Sequence, residues 1–297
     1  MVRQAPLIAG IELGGTKCNC ILATGPDDIR DEVRIPTTTP DATLGAIEAV
    51  LARWSGYQAL GIASFGPVSI DRDAPDYGFI TATTKQGWTN VDVRGRLARS
   101  AGVPTGFNSD VAGAALGEGR WGAAQEIADH AYITVGTGIG VGLVLGGEPT
   151  GGLTHPELGH IRPARLAGDD WPGNCSFHGD CAEGLASGPA IAARTGRPAQ
   201  DLAADDPAWD GVAHTLAQLI HTLVLTGIPR RVVMGGGVMT GTPHLLPRIR
   251  AKLLKSLGGY VSAPGLDPIE AYVVPAALGG KAGPLGAIEL GSRVIAE

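Results

Sequence analysis

Two stretches of the chain carry the same alternation of apolar strand, glycine turn and apolar strand. The first reads LIAGIEL at 7–13, GGT, then KCNCILA at 17–23; the second reads AYITV at 131–135, GTG, then IGVGLVL at 139–145. Each predicts a β-hairpin at the start of a sheet, and two copies of one device predict two related α/β halves. Between them, the spacing predicts a helix over 43–54, a strand over 60–63, a loop at Gly66-Pro67 and a helix over 93–101. Beyond residue 184 the period turns helical. Leu216, Leu219, Ile220, Leu223 and Val224 fall on one face of a helix over 212–225, which follows another over 185–194. The stretch 196–208, rich in Pro, Asp and Ala, is expected to be a surface loop. RRVVMGGGVM at 230–239 predicts a short strand running into three glycines, and helices follow over 244–257 and 284–296. No low-complexity linker marks a boundary, so the division is expected near 112–125.

Composition narrows the class. The 297 residues suffice for two packed domains, and 44% hydrophobic with 18% charged residues is a globular balance. A net charge of −6, with Lys and Arg scattered along the chain, gives no footprint for a nucleic-acid backbone. The N-terminus lacks the features of a secretory signal, and the uncharged stretch 131–147 is too short and too glycine-rich for a membrane helix, so a cytoplasmic protein is expected. Cys18 and Cys20 project from one face of a strand, badly placed to bridge, and are expected to be small buried residues.

Glycines at strand ends expose backbone N–H groups that can wrap an anion. Three such sites occur, at Gly14-Gly15-Thr16, Gly136-Thr137-Gly138 and Gly235-Gly236-Gly237. Any one of them alone is more simply a turn; three in one α/β chain point to nucleotide phosphates. A P-loop is excluded because Gly280-Lys281 is followed by Ala282. The run 136–142 lies between two strands, whereas a dinucleotide-binding turn must lead from strand into helix.

Two further groups carry chemistry. Asp110 stands where the strand-like run Phe107-Asn108-Ser109 meets the helical VAGAALGE, a position that suits either an ordinary N-cap or a proton acceptor. His160, Cys175, His178 and Cys181 offer two imidazoles and two thiols, with two residues between successive ligands from Cys175 to Cys181; a closed tetrahedral zinc site is expected, the alternatives being unrelated loop residues or a Cys175–Cys181 disulfide.

Several long motifs run in one order: GIELGGTK (10–17), SFGP (64–67), SDVAGAALGE (109–118), TVGTGIGVG (134–142), HPELGH (155–160), CSFHGDC (175–181), EGLASGPA (183–190) and MGGGVM (234–239). Through most of its length the chain thereby resembles the ROK group of bacterial sugar kinases and repressors, and within it the fructokinases. The repressors of that group carry a DNA-binding segment before the first hairpin; with the hairpin starting near residue 7, such a segment is not expected here. The resemblance implies an α/β, duplicated actin-like/sugar-kinase (ribonuclease H-like) fold with two lobes around a central cleft. The smaller lobe would be 1–115, completed by the last helix at about 284–297, and the larger 116–283.

The activity implied is ATP-dependent phosphorylation of a hexose, D-fructose first, with glucose, mannose, N-acetylmannosamine or a non-catalytic sugar sensor as alternatives. In the same reading Asp110 is the general base, and Ser109, Glu157, His160, Glu183, Gly87 and Trp88 contact the sugar. Gly14, Gly15, Thr16, Lys17, Thr137 and Gly138 line the phosphates, while Gly235, Gly236 and Gly237 approach the adenosine. Glu12 holds Mg2+ through water, the zinc is structural, and a homodimer is implied. Read as residues alone, Lys17 also suits a solvated turn, Trp88 a core aromatic, and Glu157 and Glu183 surface acids. Two departures from the family pattern stand out. Ser109-Asp110-Val111-Ala112 replaces Asn-Asp-x-Asn, which leaves the sugar open, and Glu12 replaces a common Asp.

Overall fold

The computed structural model describes residues 5–296, which form two compact units. The first takes the chain to Gln125, then Pro149–Pro156 and everything from Gly280 onward; the second takes Glu126–Glu148 and Glu157–Gly279.

In the first unit the opening hairpin is β1 (Ile8–Leu13) and β2 (Lys17–Gly25), followed by β3 (Asp28–Pro36) and α1 (Pro40–Arg53). Then come β4 (Ala59–Ser64), a two-residue pair β5 (Phe79–Ile80) and β6 (Val91–Asp92), α2 (Val93–Ala101), β7 (Thr105–Ser109) and α3 (Asp110–Trp121). The sheet order is β3-β2-β1-β4-β7, with β1 antiparallel to β2 and parallel to β4. The register pairs Ile11 with Cys20. Alternation places Cys18 and Cys20 on one buried face, their sulfurs 3.8 Å apart as free thiols.

The second unit repeats this plan with β8 (His130–Val135), β9 (Ile139–Leu145) and β10 (Glu148–Pro149). Helices α4 (Ala182–Ala186), α5 (Gly188–Thr195) and α6 (Ala208–Thr226) precede β11 (Arg231–Gly235) and α7 (Gly237–Gly241). Next are α8 (Leu245–Leu257), α9 (Ile269–Tyr272) and β12 (Val273–Pro275), and α10 (Ala282–Arg293) closes the chain in the first unit. The order β10-β9-β8-β11-β12 reproduces that of the first sheet strand for strand, the signature of a duplicated unit.

Each sheet has its own core. The α6 face named from its periodicity, Leu216, Leu219, Ile220, Leu223 and Val224, is wholly buried in the second. In the first, α10 lies against β4 and α3 so closely that side chains are excluded at the crossing. A Cβ on Gly61 would come 1.8 Å from the Ala287 carbonyl oxygen, and one on Gly286 would come 1.9 Å from that of Gly113.

The stretch 196–208 departs from expectation. It is not simply a surface loop: Ala199 and Leu202 belong to the second core, and Ala199–Asp201 form a 3-10 turn. The indole of the fully buried Trp209 donates to the Ala203 carbonyl at 2.9 Å, tying this segment to the start of α6. The apolar minority of the stretch, not its Pro and Asp, decides its place.

Candidate active site

The turn joining β1 to β2 leaves Gly15, Thr16 and Lys17 exposed. It is braced from one side: the Gly14 amide donates to the Lys17 carbonyl at 3.0 Å, the Thr37 hydroxyl to the Gly14 carbonyl at 2.7 Å, and the Thr37 amide to the Thr16 carbonyl at 3.0 Å. Glu12 stands just before the turn and accepts a hydrogen bond from the Asn19 side chain. Burial pushes its carboxyl above the usual range, an effect partly offset by Asn19 and by the Lys17 charge. A cation near Glu12 would favour the ionised form, so the residue suits a water-mediated metal contact. Space for it comes from α10, where a Cβ on Gly283 would overlap Glu12 Oε1.

Asp110 is the first residue of α3, and Ser109 is its cap. The Ser109 hydroxyl accepts from the Ala112 amide at 3.3 Å and the residue is 1% exposed. This corrects the sugar contact expected of Ser109, whose oxygen is committed to the helix. It also relieves Asp110 of the capping role; its Oδ1 accepts from the amide of Val111 at 2.8 Å, and the side chain is half-buried.

Trp88 likewise differs from expectation. It is fully buried, packs edge-on to Phe65 with ring centroids 5.2 Å apart, and donates to the Thr38 carbonyl at 2.8 Å. It therefore anchors its loop and offers no face to a sugar. Neighbouring Gly87 is exposed with φ 82°, and Lys85 donates to the Thr37 carbonyl at 3.2 Å. Residues 37–38 thus tie both the 81–88 loop and the 14–16 turn to one strand end.

In the second unit two glycine loops meet. The Gly136 amide donates to the Gly138 carbonyl at 2.9 Å, the Gly136 carbonyl accepts from the Gly188 amide at 2.8 Å, and Thr137 is exposed. Gly236 has φ 88°, and a Cβ there would lie 2.4 Å from the Val135 carbonyl oxygen, so only glycine lets the 235–237 segment cross β8. A cavity of about 430 Å³ opens between Gly136, Thr137, Gly237 and Val238 on one side and Gly188, Pro189, Ala192 and residues 198–200 on the other. That is the volume class of small-ligand sites, with apolar walls and few polar groups. Gly138, Gly235 and Gly236 shape the loops without lining it. The wall from α5 and 198–200 received no role from the sequence, although Ser187-Gly188-Pro189 signals a capped helix start whose chain can approach a neighbour.

The four expected metal ligands converge. Cys175 Sγ lies 3.7 Å from Nδ1 of both His160 and His178, Cys181 Sγ is 3.5 Å from His160 Nδ1, and the two Nδ1 atoms are 3.3 Å apart. Zn–N and Zn–S bonds of about 2.0–2.1 and 2.3 Å in a tetrahedron require N···N near ~3.3, N···S near ~3.5 and S···S near ~3.8 Å. The donor set matches an ion of that size, and both cysteines are free thiols, so the disulfide alternative does not hold. Burial raises the Cys181 thiol to about 11, so loading the site must displace a proton. A tight reverse pairing of Cys175 and Gly179 shapes the ligand loop, and Asp180 holds it from outside through Arg162 at 2.7 Å and Arg165 at 3.0 Å.

Two acids flank the cluster. Glu183 Oε2 accepts from the Ile139 amide at 3.0 Å and Oε1 lies 4.0 Å from His160 Nε2. Glu157 is pushed up to about 7 by desolvation of its inner side and by the Glu183 charge. Its outer edge is open to solvent, which screens the repulsion, so the shift is read as a titration and not as a stability cost. His155, buried in the first unit, accepts from the Val68 amide at 3.1 Å, and burial holds its imidazole below the usual range.

Two five-stranded sheets of identical order, each led by a glycine-turn hairpin, define the duplicated actin-like ATPase fold. The ROK family model matches residues 8–293, and the chain belongs to that family. It is 39% identical over 289 residues to the fructokinase of Pediococcus pentosaceus, covering 97% of this chain and 99% of that protein. It is also 39% identical to a putative fructokinase of Bacillus subtilis, over 97% of this chain and 96% of that one. Among solved structures it resembles a ROK hexokinase from Thermus thermophilus (28% identity, TM-score 0.79, 98% and 99% of the two chains). A ROK family glucokinase from Streptomyces griseus, determined with glucose and AMPPNP, is similar at 26% identity and TM-score 0.76 over 97% and 99% of the two chains. No helix among the described residues is long and apolar enough to cross a membrane.

Proposed function

We propose that this protein is an ATP-dependent hexose kinase that converts D-fructose to D-fructose 6-phosphate, with Asp110 as the general base. What supports the sugar most is the graded likeness: fructokinases match at 39% identity, whereas a kanosamine kinase and a glucokinase match at 30% and 29%. Phosphoryl transfer asks little covalent chemistry of the protein; it asks that a hydroxyl be aligned and phosphate charge neutralised. Asp110 takes the proton of the attacking hydroxyl. Glu157, His160 and the spare lone pairs of Glu183 bind sugar hydroxyls, and Gly87 is read as a further sugar contact. Adenosine occupies the cavity beside Gly237 and Val238, with Thr137 and Gly138 toward the phosphates and Gly15, Thr16 and Lys17 as further phosphate contacts. Mg2+ bound near Glu12 through water would neutralise the β- and γ-phosphates. Zinc is the ion read for His160, Cys175, His178 and Cys181; with four protein ligands it leaves no open position and is structural. A cytoplasmic homodimer completes the reading.

A panel of fructose, glucose, mannose and N-acetylmannosamine with coupled ADP detection tests the substrate. Fructose is expected to give the highest kcat/KM; equal or better turnover of another sugar reassigns the substrate, and ADP release independent of sugar removes the kinase reading.

The Glu157 titration supplies a pH test. As a hydrogen-bond acceptor the residue must be ionised, so the KM for fructose is expected to rise as pH falls through about 7, and the inflection to vanish in Glu157→Gln. A pH-independent KM between ~5.5 and ~8.5 would rule this role out.

A further inference from the structure

The segment that carries the last metal ligand also grips the 136–139 loop, at both ends. Cys181 is the cap of α4, its Sγ accepting from the Gly184 amide at 3.4 Å, and it is fully buried. Two residues on, Glu183 takes the Ile139 amide at 3.0 Å; five residues further, the Gly188 amide takes the Gly136 carbonyl at 2.8 Å. The fit is tight enough that a Cβ on Gly138 would stand 2.6 Å from Glu183 Oε2. A second ligand reaches the same place from the opposite side. His160 ends the short turn Leu158–His160, whose Gly159 lies so near that a Cβ would fall 1.8 Å from the Ile139 carbonyl oxygen. Ile139 is thus held at its amide by a residue next to Cys181 and crowded at its carbonyl by the residue next to His160.

The chemistry of Glu183 joins these contacts. Nδ1 of His160 faces the other donors, which leaves Nε2 toward Glu183 Oε1 at 4.0 Å. An imidazole that ligates through one nitrogen presents the other as an N–H donor, and a carboxylate is its common acceptor. One Glu183 oxygen therefore stands within electrostatic reach of His160, at 4.0 Å and without a direct hydrogen bond, while the other accepts from Ile139.

We propose that Glu183 is a positioning residue through which the metal centre sets the conformation of the 136–139 loop, so that metal occupancy and nucleotide affinity are coupled. The proposal rests on the reading of that loop as a nucleotide-phosphate contact. By linkage, the coupling is reciprocal: a nucleotide that uses the loop must tighten the metal by the factor by which the metal tightens the nucleotide.

The test is equilibrium competition for zinc between the loaded full-length protein and a chromophoric chelator, without sugar, with and without saturating Mg·ADP. In the wild type ADP is expected to raise zinc affinity about fivefold or more. In Glu183→Ala the ADP effect should fall to about onefold, and Glu183→Gln, whose side-chain carbonyl can still accept from Ile139, should restore part of it. No ADP effect in the wild type, or a full effect in Glu183→Ala, overturns the proposal. A parallel arm separates it from the nucleotide assignment: Ala192→Trp fills the cavity and should abolish ADP binding measured by calorimetry. If ADP still binds that variant normally, the nucleotide site lies elsewhere and both readings fall. If Ala192→Trp loses ADP while Glu183→Ala keeps the zinc effect, only the coupling through Glu183 is wrong.

Discussion

Asp110→Asn is expected to lower kcat for fructose phosphorylation by about 10²–10⁴-fold, the usual worth of general-base assistance, with little change in the KM for ATP or in thermal unfolding. Stability should hold because the asparagine is isosteric and keeps an oxygen to accept from the Val111 amide, while the cap of α3 belongs to Ser109. The loss falls on kcat because only the proton-accepting capacity of the side chain is removed. Steady-state kinetics beside a melting curve separates the roles. A variant that turns over within about threefold of wild type refutes the base, since the effect would sit far below that range; one that is inactive and also unfolded makes the residue structural.

Removal of the metal should be the second large effect. The protein as isolated is expected to hold about one zinc per chain, because four donors close one tetrahedral shell. Cys181→Ser should lose it, since a hydroxyl replaces a fully buried thiolate ligand. The consequences should concentrate in 157–183: protection of that segment from proteolysis or hydrogen exchange should drop, and turnover should fall by about tenfold or more as Glu157 and His160 lose their fixed places. The sign of the pH effect follows from the thiol. Burial holds Cys181 at about 11 without a metal, so binding releases protons and zinc retention should weaken as pH falls. Metal analysis of wild type and Cys181→Ser over a pH series checks both points. A metal-free wild type with full activity would contradict the structural role.

Periodicity made the hairpins, the buried face of α6 and the duplication legible, because each is a local pattern of strand, turn or helix. The convergence of His160, Cys175, His178 and Cys181 was legible for a similar reason: the spacing over 175–181 is short, and the loop simply closes on His160. What the sequence hid depends on contacts between distant residues. Ser109 and Asp110 are both good capping types, and only the backbone path shows which of them caps. Trp88 could be assigned to the core only once Thr38 and Phe65 were seen around it. Of the cavity wall, Gly188 and Pro189 lie within the EGLASGPA motif, but Ala192 and Pro198 have no chemistry of their own and no motif marks them. The glycine contacts of α10 with β4 and α3 are of the same kind, since a glycine that admits a neighbour looks in sequence like one that makes a turn.

The decisive observation would be a crystal structure of the wild-type protein with D-fructose and a non-hydrolysable ATP analogue. The proposed chemistry requires a carboxylate oxygen of Asp110 within about 2.6–3.2 Å of the sugar's 6-hydroxyl, and the analogue's adenosine in the cavity bordered by Val238 and Pro189. A sugar whose 6-hydroxyl faces some other group, with Asp110 turned only toward its own helix, would contradict it.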